Sequence, residues 1–145
     1  MNRIAALFFA ATSMLLAAAA PAQEPYGIGL EGFAYPYPVA MFAVPREGEA
    51  LRMAYMDIVP TGAAKGRTVL LLHGRNFPSS SWEPTITALS AAGYRVVVPD
   101  QIGFGKSSKS LAPPSFDQLA ADTRALLDHL GIEDTDIVAH SMGGM

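Results

Sequence analysis

Three short apolar segments, Val69 to Leu72, Tyr94 to Val98 and Asp136 to Ala139, recur along the second half of the chain. Their apolar positions are continuous rather than alternating, the pattern of strands covered on both faces, as in a parallel sheet flanked by helices. Between them lie two segments of helical period. In the first, Ser80 and Glu83 have the spacing of a capping box, Trp82, Ile86 and Leu89 share a face, and Gly93 suits a left-handed end. In the second, Ser115 and Gln118 supply the box, Phe116, Leu119, Ala120, Thr123, Leu127 and Leu130 line one side, and Gly131 closes it. Strand, helix, strand, helix, strand implies right-handed crossovers and a mostly parallel sheet with helices on both faces. Ahead of this unit, Leu51 to Val59 suits an early strand at a sheet edge, followed by a turn over Thr61 to Gly66. Gln23 to Val44, dense in Pro, Gly and Tyr, has neither period and reads as an extended lead-in packed on the domain surface, with a Pro-rich partner ligand as the alternative.

In an open parallel sheet ligands bind beyond the carboxyl ends of the strands. All three such exits carry unusual residues. The first continues as His73-Gly74-Arg75-Asn76-Phe77-Pro78, the second as Asp100-Gln101-Ile102-Gly103-Phe104-Gly105-Lys106-Ser107, and the third as His140-Ser141-Met142-Gly143-Gly144. A small residue, any residue, Ser, any residue, Gly at a strand end is the pattern of a nucleophile elbow, which makes Ser141 the candidate nucleophile. The bland alternative is a serine that caps a helix. Gly105-Lys106-Ser107 invites a phosphate-loop reading, but Asp100 stands where that loop needs its first glycine, and Pro113-Pro114 interrupts the helix that should follow.

Composition narrows the chemistry further. The chain holds no cysteine, which excludes disulfides, thiolate catalysis and Cys-based metal or iron–sulfur sites. Its formal net charge of -3, without a basic run, leaves no nucleic-acid footprint. Residues 1–22 read as a signal peptide: Asn2-Arg3 is positive, Ile4 to Ala20 is nearly all apolar, and Ala20-Pro21-Ala22 offers small residues for cleavage before Gln23. An uncleaved membrane anchor is the competing reading, and a core helix is disfavoured because no polar face interrupts the run. The expectation is an exported protein, periplasmic or secreted, without stable membrane association after cleavage. About 120 residues then remain, enough for one modest domain. Its parts are a lead-in over 23–50 and a domain over 51–145.

His-Gly after one strand, Asp-x-x-Gly-x-Gly-x-Ser after the next and a serine turn after the third resemble the serine-nucleophile branch of the α/β-hydrolase superfamily. The resemblance covers roughly Leu51 to Met145, and Ala139 stands where that pattern usually has Gly. It implies that Ser141 attacks a carbonyl carbon in an ester, lactone, amide or carbon–carbon bond. The Met142 amide, with that of Arg75 or Asn76, would hold the oxyanion. His73 and Gly74 would order the oxyanion loop, while Asp100, Gly103, Gly105 and Gly143 shape the turns. His140 is expected to pack, pointing away from the nucleophile, and His129 to favour a helix C-terminus. Related dehalogenases and epoxide hydrolases place a carboxylate where Ser141 stands, so the serine argues against them. The substrate is a small molecule, and no metal or organic cofactor is implied. Because the order in this superfamily is Ser, then acid, then His, the base and acid are expected beyond Met145. The sequence therefore reads as a partial fold, truncated after the elbow and inactive as it stands. Two other functions fit the same residues: a non-catalytic binding module, and a perhydrolase-type acyl transfer.

Overall fold

The computed structural model describes residues 25–46 and 48–145, so the signal-peptide reading of residues 1–22 lies outside the described residues. Five strands form one sheet in the order β1-β2-β4-β3-β5, with β1 Ala40–Val44, β2 Leu51–Ile58, β3 Thr68–Leu72, β4 Arg95–Pro99 and β5 Asp136–Ala139. β4, β3 and β5 run parallel, whereas β2 pairs antiparallel with both β1 and β4. The helices are α1 Glu83–Ala91 and α2 Phe116–His129.

The chain steps outward from β3 to β4 and then back across β3 to β5. Right-handed crossovers in opposite directions put their helices on opposite faces. On one face Ile86 of α1 packs with Val69, Leu71, Val96 and Val98; on the other Leu119, Leu126 and Leu127 of α2 pack with Leu70 and Val97. Alternate residues of β3 and β4 thus enter two separate cores, which is why both strands are continuously apolar. The reversal at β3 is also a topological switch point, where the strand exits open a crevice.

Several expectations are corrected. β2 is interior, not an edge strand, because Ala40–Val44 pairs along its outer side. That strand escaped notice within the lead-in because only Phe42 and Val44 of its five residues are buried. Among the described residues β5 pairs with β3, and Ile137 and Val138 are 60% and 42% exposed. The Ser80 capping box does not form. A 3-10 turn over Ser79–Trp82 intervenes, α1 begins at Glu83 with Pro84 in its first turn, and Trp82 rather than Ser80 precedes it. Proline is suited to that first turn because its missing N–H has no helical acceptor there.

Other local signals hold. Ser115 caps α2 in a full box with Gln118, and the helices end at Gly93 and Gly131 with φ of 93° and 66°. On α2, Leu126 is fully buried, while Phe116 is 46% exposed beside an open cavity of about 390 Å³ that Leu72, Ile137 and Met142 also line.

Candidate active site

β3 delivers the chain into a tight turn in which Phe77 N–H donates to the Gly74 carbonyl at 3.2 Å, enclosing Arg75 and Asn76. Asn76 takes φ +65°, a conformation that asparagine accepts more readily than most residues. His73, 1% exposed, fastens this turn to the next strand exit: its Nε2 accepts the Gln101 N–H at 2.9 Å and its Nδ1 lies 2.8 Å from the Gly74 carbonyl. The first bond requires an unprotonated Nε2, so the ring is neutral with its proton on Nδ1, donated to Gly74. Burial pushes the His73 pKa below its ordinary value, and the Gly74 carbonyl and Asp100 oppose that only in part. The ring is thereby committed to holding two loops together.

At the β4 exit Asp100 is fully buried, with donors on both oxygens. Oδ1 accepts from Ser79 N–H at 2.6 Å; Oδ2 accepts from Lys106 N–H at 2.7 Å and from the Tyr35 hydroxyl at 2.6 Å. Ser107 adds a hydroxyl bond to the Asp100 carbonyl at 2.5 Å and accepts from Ala54 N–H at 2.8 Å. Gly105, at φ +50°, sits so close that a Cβ there would lie 2.1 Å from Asp100 Oδ2. Gly103 has φ +97° and turns the loop back, its N–H donating to the Ser108 carbonyl at 2.9 Å.

β5 ends in the serine turn. His140 N–H continues the ladder to the Leu72 carbonyl at 3.0 Å, and Ser141 follows at φ +50° with its residue exposed. A non-glycine residue there costs about 1–3 kcal/mol of strain. The 3-10 turn Ser141–Gly144 begins its own hydrogen bonding with Gly143 N–H to the His140 carbonyl at 3.0 Å. The Met142 amide precedes that bond, among the donors a turn leaves for a ligand. Gly143 has no room for a side chain, since a Cβ would meet the Leu72 carbonyl oxygen at 2.6 Å. By contrast a Cβ on Gly144 would meet nothing nearer than the Ala139 Cβ at 3.8 Å, an ordinary van der Waals contact.

Register joins these loops. Leu72 pairs with Ala139 at the last register position of β3 and β5, so the two strand exits leave side by side. A Cβ on Gly74 would lie 2.5 Å from the His140 ring and 3.4 Å from its carbonyl oxygen. The turn bearing the Arg75 and Asn76 amides therefore abuts the serine turn directly. His140 also meets Phe77 edge-on, at 5.9 Å between ring centres. His129 stacks on Phe42 at 4.9 Å. Of the three histidines, His73 bonds two loops, His140 meets Phe77 and His129 stacks on Phe42. Tyr35 and Ser79, which hold Asp100, were missed at the level of sequence; the one available signal was the alternation of aromatics with prolines in Tyr35-Pro36-Tyr37-Pro38. Among the described residues no cluster of three His, Cys, Asp or Glu side chains could hold a metal ion, and no helix is long and apolar enough to cross a membrane.

This fold and this set of strand exits define the α/β-hydrolase class. The family model described as alpha/beta hydrolase fold matches residues 67–145, and the chain belongs to that family. A crystal structure of a probable hydrolytic enzyme from Pseudomonas aeruginosa PAO1 is similar at 52% identity and TM-score 0.79, over 83% of this chain and 38% of that one. Epoxide hydrolase B of Mycobacterium tuberculosis is 43% identical over 54% of this chain and 23% of its own length. A 2-hydroxy-6-oxononadienedioate/2-hydroxy-6-oxononatrienedioate hydrolase of Paraburkholderia phymatum is 41% identical over 67% of this chain and 34% of its own. The chain thus spans between 23% and 38% of the length of these relatives.

Proposed function

We propose that the whole protein is an exported serine-dependent hydrolase that cleaves a small carbonyl substrate through an acyl-enzyme. The observation that carries this reading is Ser141 at φ +50° on a turn whose preceding residue is in contact with Gly74. Ser141 Oγ attacks the carbonyl carbon and gives its proton to a base. The Met142 amide, with Arg75 or Asn76, receives the oxyanion. The leaving group departs protonated, and water then releases the acyl group. Among the described residues no side chain is assigned as that base or as the acid that orients it. The chain is similar both to an epoxide hydrolase and to a 2-hydroxy-6-oxononadienedioate/2-hydroxy-6-oxononatrienedioate hydrolase, and a serine hydroxyl at position 141 favours acyl chemistry.

The test is Ser141→Ala in the whole protein, assayed on small acyl esters and with a fluorophosphonate probe. Turnover should fall by about 10⁴-fold or more and labelling should vanish. Undiminished turnover would overturn the mechanism, and an intact protein that never labels would point to a binding module. Export is tested separately by cell fractionation and N-terminal sequencing, with Gln23 as the expected first residue.

A further inference from the structure

We propose that Tyr35, on the arm ahead of the sheet, is a positioning residue for the oxyanion turn, acting through Asp100. This rests on the serine-hydrolase reading above. Asp100 is a fully buried carboxylate held by three donors, and two of them belong to strand-exit loops: Ser79 N–H and Lys106 N–H. The third, the Tyr35 hydroxyl, reaches Oδ2 at 2.6 Å from 65 positions away in sequence. It is supplied from outside the region that carries the family pattern.

The path to the site is short. Ser79 opens the 3-10 turn immediately after Pro78, so the Oδ1 bond anchors the downstream end of the Gly74–Phe77 turn. His73 anchors the upstream end through Gln101, the neighbour of Asp100. The Arg75 and Asn76 amides lie between these two anchors, both of which lead back to residues 100 and 101. A charge-assisted bond is stronger and shorter than a neutral one, so a carboxylate that loses one donor of three re-centres on the remaining two. Gly105 packs against the carboxylate without slack, so that shift is passed to Ser79 rather than absorbed.

Tyr35 is built to hold its place. Its ring meets Phe33 edge-on at 5.9 Å, the Lys106 ammonium lies 4.9 Å from its centre, and it packs against the α1 core. Burial, then the bond and charge of Asp100, raise its pKa far above the ordinary value, so the phenol stays a donor throughout the neutral range. The same arm offers an internal control, since the Tyr37 hydroxyl bonds Thr87 at 3.0 Å and touches neither loop.

The experiment measures fluorophosphonate labelling of the whole protein, separating the inactivation rate constant kinact from the binding constant KI. Tyr35→Phe should lower kinact about tenfold with KI changed less than about twofold, while Tyr37→Phe should leave both within about twofold. Replacing Tyr35 with 4-aminophenylalanine, which restores a donor on the same ring, should recover most of the lost rate. That variant also carries the test if Tyr35→Phe does not fold. The proposal is overturned if Tyr35→Phe keeps its kinact, if Tyr37→Phe loses as much, or if the amino variant is as slow as Phe. Failure of the serine reading looks different: the unaltered protein would not label at all, or Ser141→Ala would label as fast as it does.

Discussion

The loop from Asp100 to Ser107 and the turn from His140 to Gly144 leave the same end of one sheet, yet they treat their polar groups in opposite ways. In the first, a buried carboxylate takes three donors, a serine hydroxyl bridges to β2, and two glycines in left-handed conformations wrap the cage. In the second, a serine occupies a left-handed conformation that glycine would occupy without strain, and its residue is exposed. A buried charge is tolerated only when its hydrogen bonds are complete, whereas a nucleophile must keep its hydroxyl accessible. On the proposed serine mechanism, the rigid loop supplies the geometry and the strained turn supplies the reactivity.

The widest separation between the two should come from Ser141→Gly. In the whole protein it removes the hydroxyl and should cut ester turnover about 10⁴-fold or more, while relief of strain raises stability by about 1 kcal/mol in a denaturant titration. A fall in stability would mean that the turn is not strained. Gly105→Ala should show the reverse balance. A Cβ at 2.1 Å from the Asp100 carboxylate, at φ +50°, is expected to cost about 3 kcal/mol or more in stability, and activity is lost with the fold.

His73, which ties the loops together, predicts a smaller, pH-dependent effect. Its folded-state pKa lies below the ordinary 6.5, so the folded protein binds fewer protons than the unfolded chain just below that pH. The stability tied to its neutral form is complete above 6.5 and is lost as pH falls toward the folded-state value. The melting midpoint should drop over that window, and His73→Gln should flatten the slope. Least affected is Arg67→Ala, which breaks an exposed pair with Asp136 across β3 and β5. Thermal melts should register about 0.5 kcal/mol or less, because both side chains already face solvent.

Legibility in the sequence followed how local each signal was. The Ser115–Gln118 box and the glycines ending both helices act within a few residues, and all appear where their spacing places them. The Ser80–Glu83 box failed because Pro78 and Pro84 favour an intervening 3-10 turn, a competition that spacing alone does not rank. β1 was hidden because an antiparallel edge strand needs only two inward residues, and Phe42 and Val44 inside a Pro-rich stretch do not announce a pairing partner. At the site, the serine turn and the His-Gly pair were visible as motifs. The contact of Gly74 with His140 required knowing that β3 and β5 are adjacent, which follows from strand order and not from chain order.

By itself, then, the sequence determined the residue types at each strand exit and the alternation of strands with helices, because both depend on residues at short separations. Tertiary structure alone decided which exits face one another, that His73 is a neutral strut between two loops, and that Tyr35 completes the cage around Asp100. Those are contacts over tens of residues. They exist only once the sheet order brings distant segments within hydrogen-bond reach, and no periodicity in the chain encodes that order.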